Sequence, residues 1–478
     1  MNIKKSVISG TKWTVASMVV QVVVQLLRLS ILTRFLTKSD FGLVAIVTLI
    51  LGFTHIFTDL GVSVVLFSRH DLTKKEYSSL YWVSFLSGIA LYVVLLAITP
   101  AIALFYKLDI LNILIPIMGL DLIFATAGRH FKIFKQKEFR FKEIGLIEIS
   151  SALLSLVASV YLAYFNWGVY SLIYSTILNS ALTSFLLIIT TIRTYPISFY
   201  INIKENKSLY KVGLYQTGAQ ILDFISSQLD IIIIGRIMGS ADLGVYNLVK
   251  QLILRPYSLL NPIIQNVAIP LLAKLRNDVA TFNSNYLQIL KITSMVTFPL
   301  YALIALYAKE ILWVLYGAPY KDAALLLQIF CVWGGISSIL GPSSMLVVVT
   351  GKTKLGFNWT IFRVLTTPAC IIIGGLWGTV IGISVGQSLC IVSYLVMYWI
   401  FFIKRASTIS FKDYTASYLY ELGAAVGALT VALIIKTLCL QVFNLYVSGV
   451  IAFIAFGTLF CFFNKTELAN LYKRLRPS

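Results

Sequence analysis

Apolar stretches of roughly 18 residues or more recur from one end of this 478-residue chain to the other, each long enough as a helix to cross about 30 Å of hydrocarbon. A segment in lipid finds no water for its N–H and C=O groups, so it must be a helix or belong to a closed barrel. Long uninterrupted runs exclude the barrel, whose strands are short and alternate apolar with polar residues. With 58% hydrophobic and 12% charged residues and a mean hydropathy of +0.87, the chain has too little polar surface for water. The expected fold class is an all-α polytopic membrane protein of about fourteen transmembrane helices.

The spans are predicted at 11–33, 41–67, 79–105, 110–131, 144–165, 169–191, 210–235, 243–270, 286–308, 323–349, 357–376, 379–403, 418–435 and 445–463. They group into a six-helix lobe over 1–193, a connector at 194–209, a second six-helix lobe over 210–403, and two extra helices with a basic tail over 404–478. Most of the 39 Lys and Arg fall in alternate loops on the side of the N-terminus. That bias places both termini and the connector in the cytoplasm. It also explains the net charge of +20 as topology, so no nucleic-acid partner is implied.

The richest loop, Arg129 to Lys142, alternates Lys132, Lys135, Lys137, Arg140 and Lys142 with phenylalanines, and is expected to rest on anionic lipid headgroups. Residues 195–209 read as an interfacial connector. Glu310 to Lys321 reads as a short external helical turn broken by Gly317 and Pro319. Met1 to Lys12 leads into a full-length span, so no cleaved signal peptide is expected. Cys331, Cys370, Cys390, Cys439 and Cys461 lie in or beside apolar segments without CxxC spacing and read as small packing residues. Gly378, Gly382 and Gly386, spaced by four, read as close helix packing.

The chain also resembles itself. Arg34, Asp40 and Gly42 in RFLTKSDFG recur 202 residues later as Arg236, Asp242 and Gly244 in RIMGSADLG. Six spans separate the copies, and an even number returns the chain to the same face, so the halves are expected to be parallel repeats about an axis along the membrane normal. Capping by Asp and turning by Gly explain each residue singly, but not the shared spacing.

Ionisable groups inside spans are costly and mark interiors and pathways. Here they include Arg28, His55, Asp59, Asp121, Glu148, Asp223, Asp230, Lys250, Arg255, Lys291 and Arg363. Arg28, His55, Lys250, Arg255 and Arg363 are the candidate lining of a water-filled cationic cavity for an anionic substrate, because guanidinium forks suit phosphate oxygens. Asp59, Asp223 and Asp230 are candidates for proton or sodium coupling or for ion pairs. Under the 202-residue offset Arg28 corresponds to Asp230, which raises an ion pair across the pseudo-twofold axis; the alternative is that each pairs within its own half. Pro256, Pro262 and Pro270 interrupt span 8, where freed carbonyls would support bending. Nucleotide-binding loops and the common nucleophile and metal motifs are absent, so no cofactor and no enzymatic activity are expected.

The opening SGTKWTVASMVVQVVVQLLRLSILTRFL, the following TKSDFGLVAIVTLILGF and DLGVSVV, the basic LTKKEYSSLYW and the later GKTKLGFNW together resemble the polysaccharide transporter family. That family belongs to the multidrug, oligosaccharidyl-lipid and polysaccharide exporter superfamily. The resemblance covers nearly the whole chain and is strongest to bacterial flippases for O-antigen, colanic-acid or teichuronic-acid repeat units. It implies two six-helix lobes plus two helices in the bacterial inner membrane. It further implies a carrier that moves an undecaprenyl-pyrophosphate-linked oligosaccharide to the periplasmic leaflet, with membrane lipids as partners and with basic cavity residues carried over to Arg28, Lys250, Arg255 and Arg363. The rivals are a drug or metabolite antiporter or a lipid II flippase of the same fold, and a membrane polymerase or ligase acting on the same lipid-linked sugar. Antiporters of this fold usually place a carboxylate in the first helix of a lobe, where this chain has Arg28. A polymerase or ligase would be expected to need a substantial external loop, and none is present.

Overall fold

The computed structural model describes residues 3–59, 66, 73–201, 207–440 and 445–465, and these form helices and turns without a strand. In chain order the helices are α1 (Ile3–Leu32), α2 (Lys38–Asp59), α3 (Lys74–Tyr106), α4 (Leu111–Lys137), α5 (Phe141–Tyr164), α6 (Val169–Thr191), α7 (Lys207–Ile237), α8 (Ser240–Lys274) and α9 (Val279–Leu306). A short α10 (Ala308–Tyr316) and a 3-10 turn (Ala318–Ala323) lead to α11 (Ala324–Thr350), α12 (Thr353–Gly375), α13 (Val380–Tyr398), α14 (Phe411–Leu440) and α15 (Leu445–Phe463). Among the described residues, 11 helices are long and apolar enough to cross a membrane, and the chain is a multi-pass membrane protein. The remaining long helices, α7, α8 and α15, are either charged along their length or shorter in their described part.

Several helices outrun the predicted spans because the apolar run marks only the hydrocarbon, whereas the helix continues until something caps it. α3 begins five residues early at a capping box, in which the Thr73 side chain accepts from the Glu76 amide and the Glu76 carboxylate accepts from the Thr73 amide. α9 begins at Val279 because the Asp278 carboxylate accepts from the Thr281 amide. α10 stops before Gly317, whose φ of +97° only glycine adopts easily, so the turn read at Glu310 to Lys321 is present.

In the basic stretch after Arg129 the chain is helix up to Lys137, and its cations have protein partners. Lys135 is fully buried 2.6 Å from Glu143, Lys132 lies 2.6 Å from Glu148, and Arg140 lies 2.6 Å from Glu143. Lys137 donates to the Leu66 carbonyl at 2.8 Å, and Lys142 sits over the Trp13 ring. Phe131 and Phe134 are core residues, packed with Tyr77, Leu80 and Leu187. The described start of the connector is strapped onto α3: the Tyr77 hydroxyl donates to the Pro196 carbonyl and the Trp82 indole to the Ser198 carbonyl. Tyr195 donates to Glu138 at 2.8 Å, and its hydroxyl is pushed up to about 12 by burial and by that carboxylate, so it remains a donor at any physiological pH.

The helices fall into two compact units, Met1–Leu248 with Val314–Gly317, and Val249–Trp313 with Ala318–Ser478. In the first, α4 packs on α3 and α6, α5 on α1 and α6, and α7 on α2. In the second, α14 packs on α9 and α15, and α11 on α9 and α13. Ala424, Ala428 and Ala432, one turn apart, let α14 approach closely around buried Tyr286 and Tyr414. Gly382 and Gly386 abut the carbonyls of Gly374 and Cys370 as close packing requires, but Gly378 has a φ of +66° and makes the turn before α13.

Within the first unit the two copies of the repeat meet. A Cβ on Gly42 would lie 1.8 Å from the Ser240 carbonyl oxygen, and one on Gly244 would lie 1.9 Å from the Lys38 carbonyl oxygen. Lys38 and Ser240 are themselves equivalent under the offset, so the contact is reciprocal, and the Ser39 and Ser240 hydroxyls add a 2.6 Å hydrogen bond. Asp40 does cap α2, accepting from the Thr37 amide, but the glycines are needed where one backbone crosses the other.

Two predictions follow from this packing. Gly244→Ala and Gly42→Ala should each cost about 1–3 kcal/mol or more through overpacking, whereas Gly423→Ala, with open space around it, should be neutral or slightly stabilising; thermal unfolding in detergent tests both. Glu143→Ala should cost about 3 kcal/mol by stranding the buried Lys135 ammonium, and Lys135→Met combined with Glu143→Leu should recover most of that loss in a double-mutant cycle.

Candidate functional site

The interior of the first unit is built from polar side chains on five helices. On α1, Gln21 and Arg28 are two turns apart and so share a face. Arg28 Nη2 reaches α6, donating to the Leu172 carbonyl at 2.9 Å, the Ser175 hydroxyl at 2.6 Å and the Thr176 hydroxyl at 3.1 Å. Both hydroxyls in turn donate to that same Leu172 carbonyl, which leaves their lone pairs directed to the guanidinium. One turn further along α6, the Asn179 side-chain oxygen is buried without a hydrogen-bond partner.

The other charges of this interior are matched. Glu148 on α5 pairs with Lys132 on α4 and accepts from Gln21 at 3.0 Å. His55 on α2 lies 2.8 Å from Asp121 on α4. Arg28 differs: all its hydrogen-bond acceptors are neutral, its Nε is buried without a partner, and it forms no ion pair among the described residues. A cation held this way by neutral dipoles keeps its full charge in a low-dielectric setting, and its unused edge offers the donor geometry that phosphate oxygens accept.

The remaining candidates are distributed as follows. Asp230 is buried and accepts from the Tyr246 hydroxyl and from the Ile231 amide, so the ion pair raised between Arg28 and Asp230 is not formed. Asp223 is half-buried on α7, and the Asp59 side chain lies outside the described residues. The second unit holds Lys250, buried on α8; Arg255, half-buried one turn from Gln251 Oε1 at 3.5 Å; and Arg363, half-buried on α12. α8 keeps its helical course through Pro256, Pro262 and Pro270. Ser175, Thr176 and Asn179 were not singled out in the sequence. The signal was there: three polar residues within two turns of an apolar span.

The first helix thus carries a guanidinium whose hydrogen-bond acceptors among the described residues are all neutral. The chain matches the family described as polysaccharide biosynthesis protein over residues 31–325, and it belongs to that family. It is similar to the teichuronic acid biosynthesis protein TuaB of Bacillus subtilis, 25% identical over 75% of this chain and 74% of that one. Similarity to the lipopolysaccharide biosynthesis protein WzxC of Escherichia coli is 24% over 87% and 85% of the two chains. Among solved structures, the lipid II flippase MurJ in an inward closed conformation superposes with a TM-score of 0.77 at 18% identity, covering 96% of this chain and all of that one. An inward-facing multidrug resistance transporter of the MATE family and the MOP superfamily gives 0.58 at 18% identity over 80% and 94%. The fold is therefore the exporter-superfamily fold that the sequence resemblance implied.

Because Arg28 has no counter-charge among the described residues, Arg28→Met should raise thermal stability, by about 1 kcal/mol or more, without stranding Ser175 or Thr176, whose hydroxyls keep their bonds to Leu172. Differential scanning fluorimetry of the two proteins in one detergent checks this.

Proposed function

We propose that this protein is a carrier, with no catalytic role, that moves an undecaprenyl-pyrophosphate-linked oligosaccharide from the cytoplasmic to the periplasmic leaflet of the bacterial inner membrane by alternating access. The observation that carries this reading is Arg28, an intramembrane guanidinium held only by neutral groups and suited to a pyrophosphate headgroup. Family membership supports it, as do the relatives' names, which include a succinoglycan biosynthesis transport protein of Rhizobium meliloti. In this reading Lys250, Arg255 and Arg363 add positive charge along the headgroup's path. His55 is held by Asp121 and serves the site's polarity. Both termini face the cytoplasm, as the positive-inside bias indicates.

Asp59, Asp223 and Asp230 are the candidates for coupling to protons or sodium or for ion pairs, and Asp230 accepts from Tyr246. A cationic-drug antiporter is disfavoured by the sign of the charge in α1. A lipid II flippase would share both the pyrophosphate chemistry and the fold, so the cargo sugar distinguishes the two.

The test is leaflet translocation of a labelled undecaprenyl-pyrophosphate oligosaccharide in proteoliposomes. Arg28→Ala should lower the rate about tenfold or more, the loss of roughly one charge-assisted contact, while Arg28→Lys keeps the charge, loses the fork and retains partial activity. Efflux of a small soluble compound, with no translocation of any lipid-linked sugar by the wild-type protein, would reject the proposal.

A further inference from the structure

Between α2, α3 and α7, wholly within the first unit, lies a crevice of about 530 Å3, inside the roughly 300–1,000 Å3 range of small-molecule sites. Its walls are Phe53 from α2, Ile98, Ala101 and Phe105 from α3, and Phe224 and Ile225 from α7. Its few polar groups do not change its character; the Thr54 hydroxyl, for example, already donates to the Ile50 carbonyl. Ile98, Phe105 and Ile225 are each more than two-fifths exposed, so the crevice is open at the surface of the first unit, and its apolar walls on membrane-spanning helices suit a lipid chain. From Ile98 to Phe105 it runs about 10 Å along α3 at 1.5 Å per residue.

One end of this apolar trough carries a charge. Arg236, in the last turn of α7, holds its guanidinium 5.5 Å over the ring of Phe105, a residue of the wall itself, and forms no ion pair among the described residues. α3 ends at Tyr106 and α7 at Ile237, and the apolar runs read as spans end at 105 and 235, so this is an end of the membrane-spanning stretch of both helices. A trough that is apolar along its length and cationic at its interfacial end matches an amphiphile with a chain and a phosphate.

We propose that this crevice binds one resident glycerophospholipid, with an acyl chain between α2, α3 and α7 and the phosphodiester against Arg236. A bulk phospholipid is favoured over a scarce lipid-linked sugar by mass action at a laterally open site. The site is separate from Arg28 and its α6 acceptors, and the proposal does not depend on the cargo.

The full-length protein is reconstituted in vesicles of phosphatidylethanolamine and phosphatidylglycerol and re-extracted in mild detergent. Native mass spectrometry then counts the lipids retained. Wild type should keep one phospholipid. Ala101→Trp, which fills the trough, and Arg236→Gln, which removes the charge, should each lose it. Leu104→Trp, on the same helix at a position 76% exposed and outside the crevice, should retain it. Ile98→Trp substitutes for Ala101→Trp if the latter fails to give a monodisperse protein. Retention unchanged by the trough and charge variants, equal loss in Leu104→Trp, or retention of a polyprenyl-linked sugar in place of phospholipid would each overturn the proposal.

Discussion

In hydrocarbon an N–H or C=O left without a partner costs several kcal/mol, and almost everything in this structure is a response to that requirement. Helices close their own hydrogen bonds, which is why the described residues contain no strand, and each proline inside a helix frees a carbonyl that neighbouring groups must answer. Polar side chains obey the same rule. Serines and threonines within the spans mostly return their hydroxyls to a carbonyl three or four residues back, as Thr99, Thr126 and Thr297 do. Charges find opposite charges, as in Lys132 with Glu148, Lys135 with Glu143 and Lys436 with Glu310.

Against that background a charge left unmatched is informative. Arg28 is tethered by three contacts from a single nitrogen, all to neutral groups, and its Nε is buried and unused. A purely structural arginine in this setting would be expected to sit beside a carboxylate, and the nearby acids Glu148 and Asp121 are committed to Lys132 and His55. The arrangement makes energetic sense if an anion from outside the chain completes it during the working cycle.

The duplicated segment shows how one set of residues serves two ends. Asp40 caps its helix, as any short loop might require, while Gly42 and Gly244 allow two backbones to cross where no side chain fits. The equivalent arginines then diverge. Arg34 donates to the Val314 carbonyl and Arg236 lies over Phe105. Repetition preserved the backbone crossing, whose geometry tolerates nothing larger than glycine, while the two cations acquired different neighbours.

The sequence by itself determined the solvent, the helical class and the approximate place of most spans, because these depend on the length of apolar runs and on the single requirement that backbone groups pair locally. It also marked Arg28, His55, Asp121 and Glu148 as intramembrane charges, since composition within a span is visible without any fold. Which charge answers which was decided only by tertiary structure. Glu148 takes Lys132 from a stretch that reads as a headgroup-facing loop, and Asp230 takes a tyrosine in place of Arg28. Arg28 is left with Ser175 and Thr176, almost 150 residues away in the chain. Such pairings depend on the rotation and depth of each helix against its neighbours, which side-chain packing sets and no local pattern encodes.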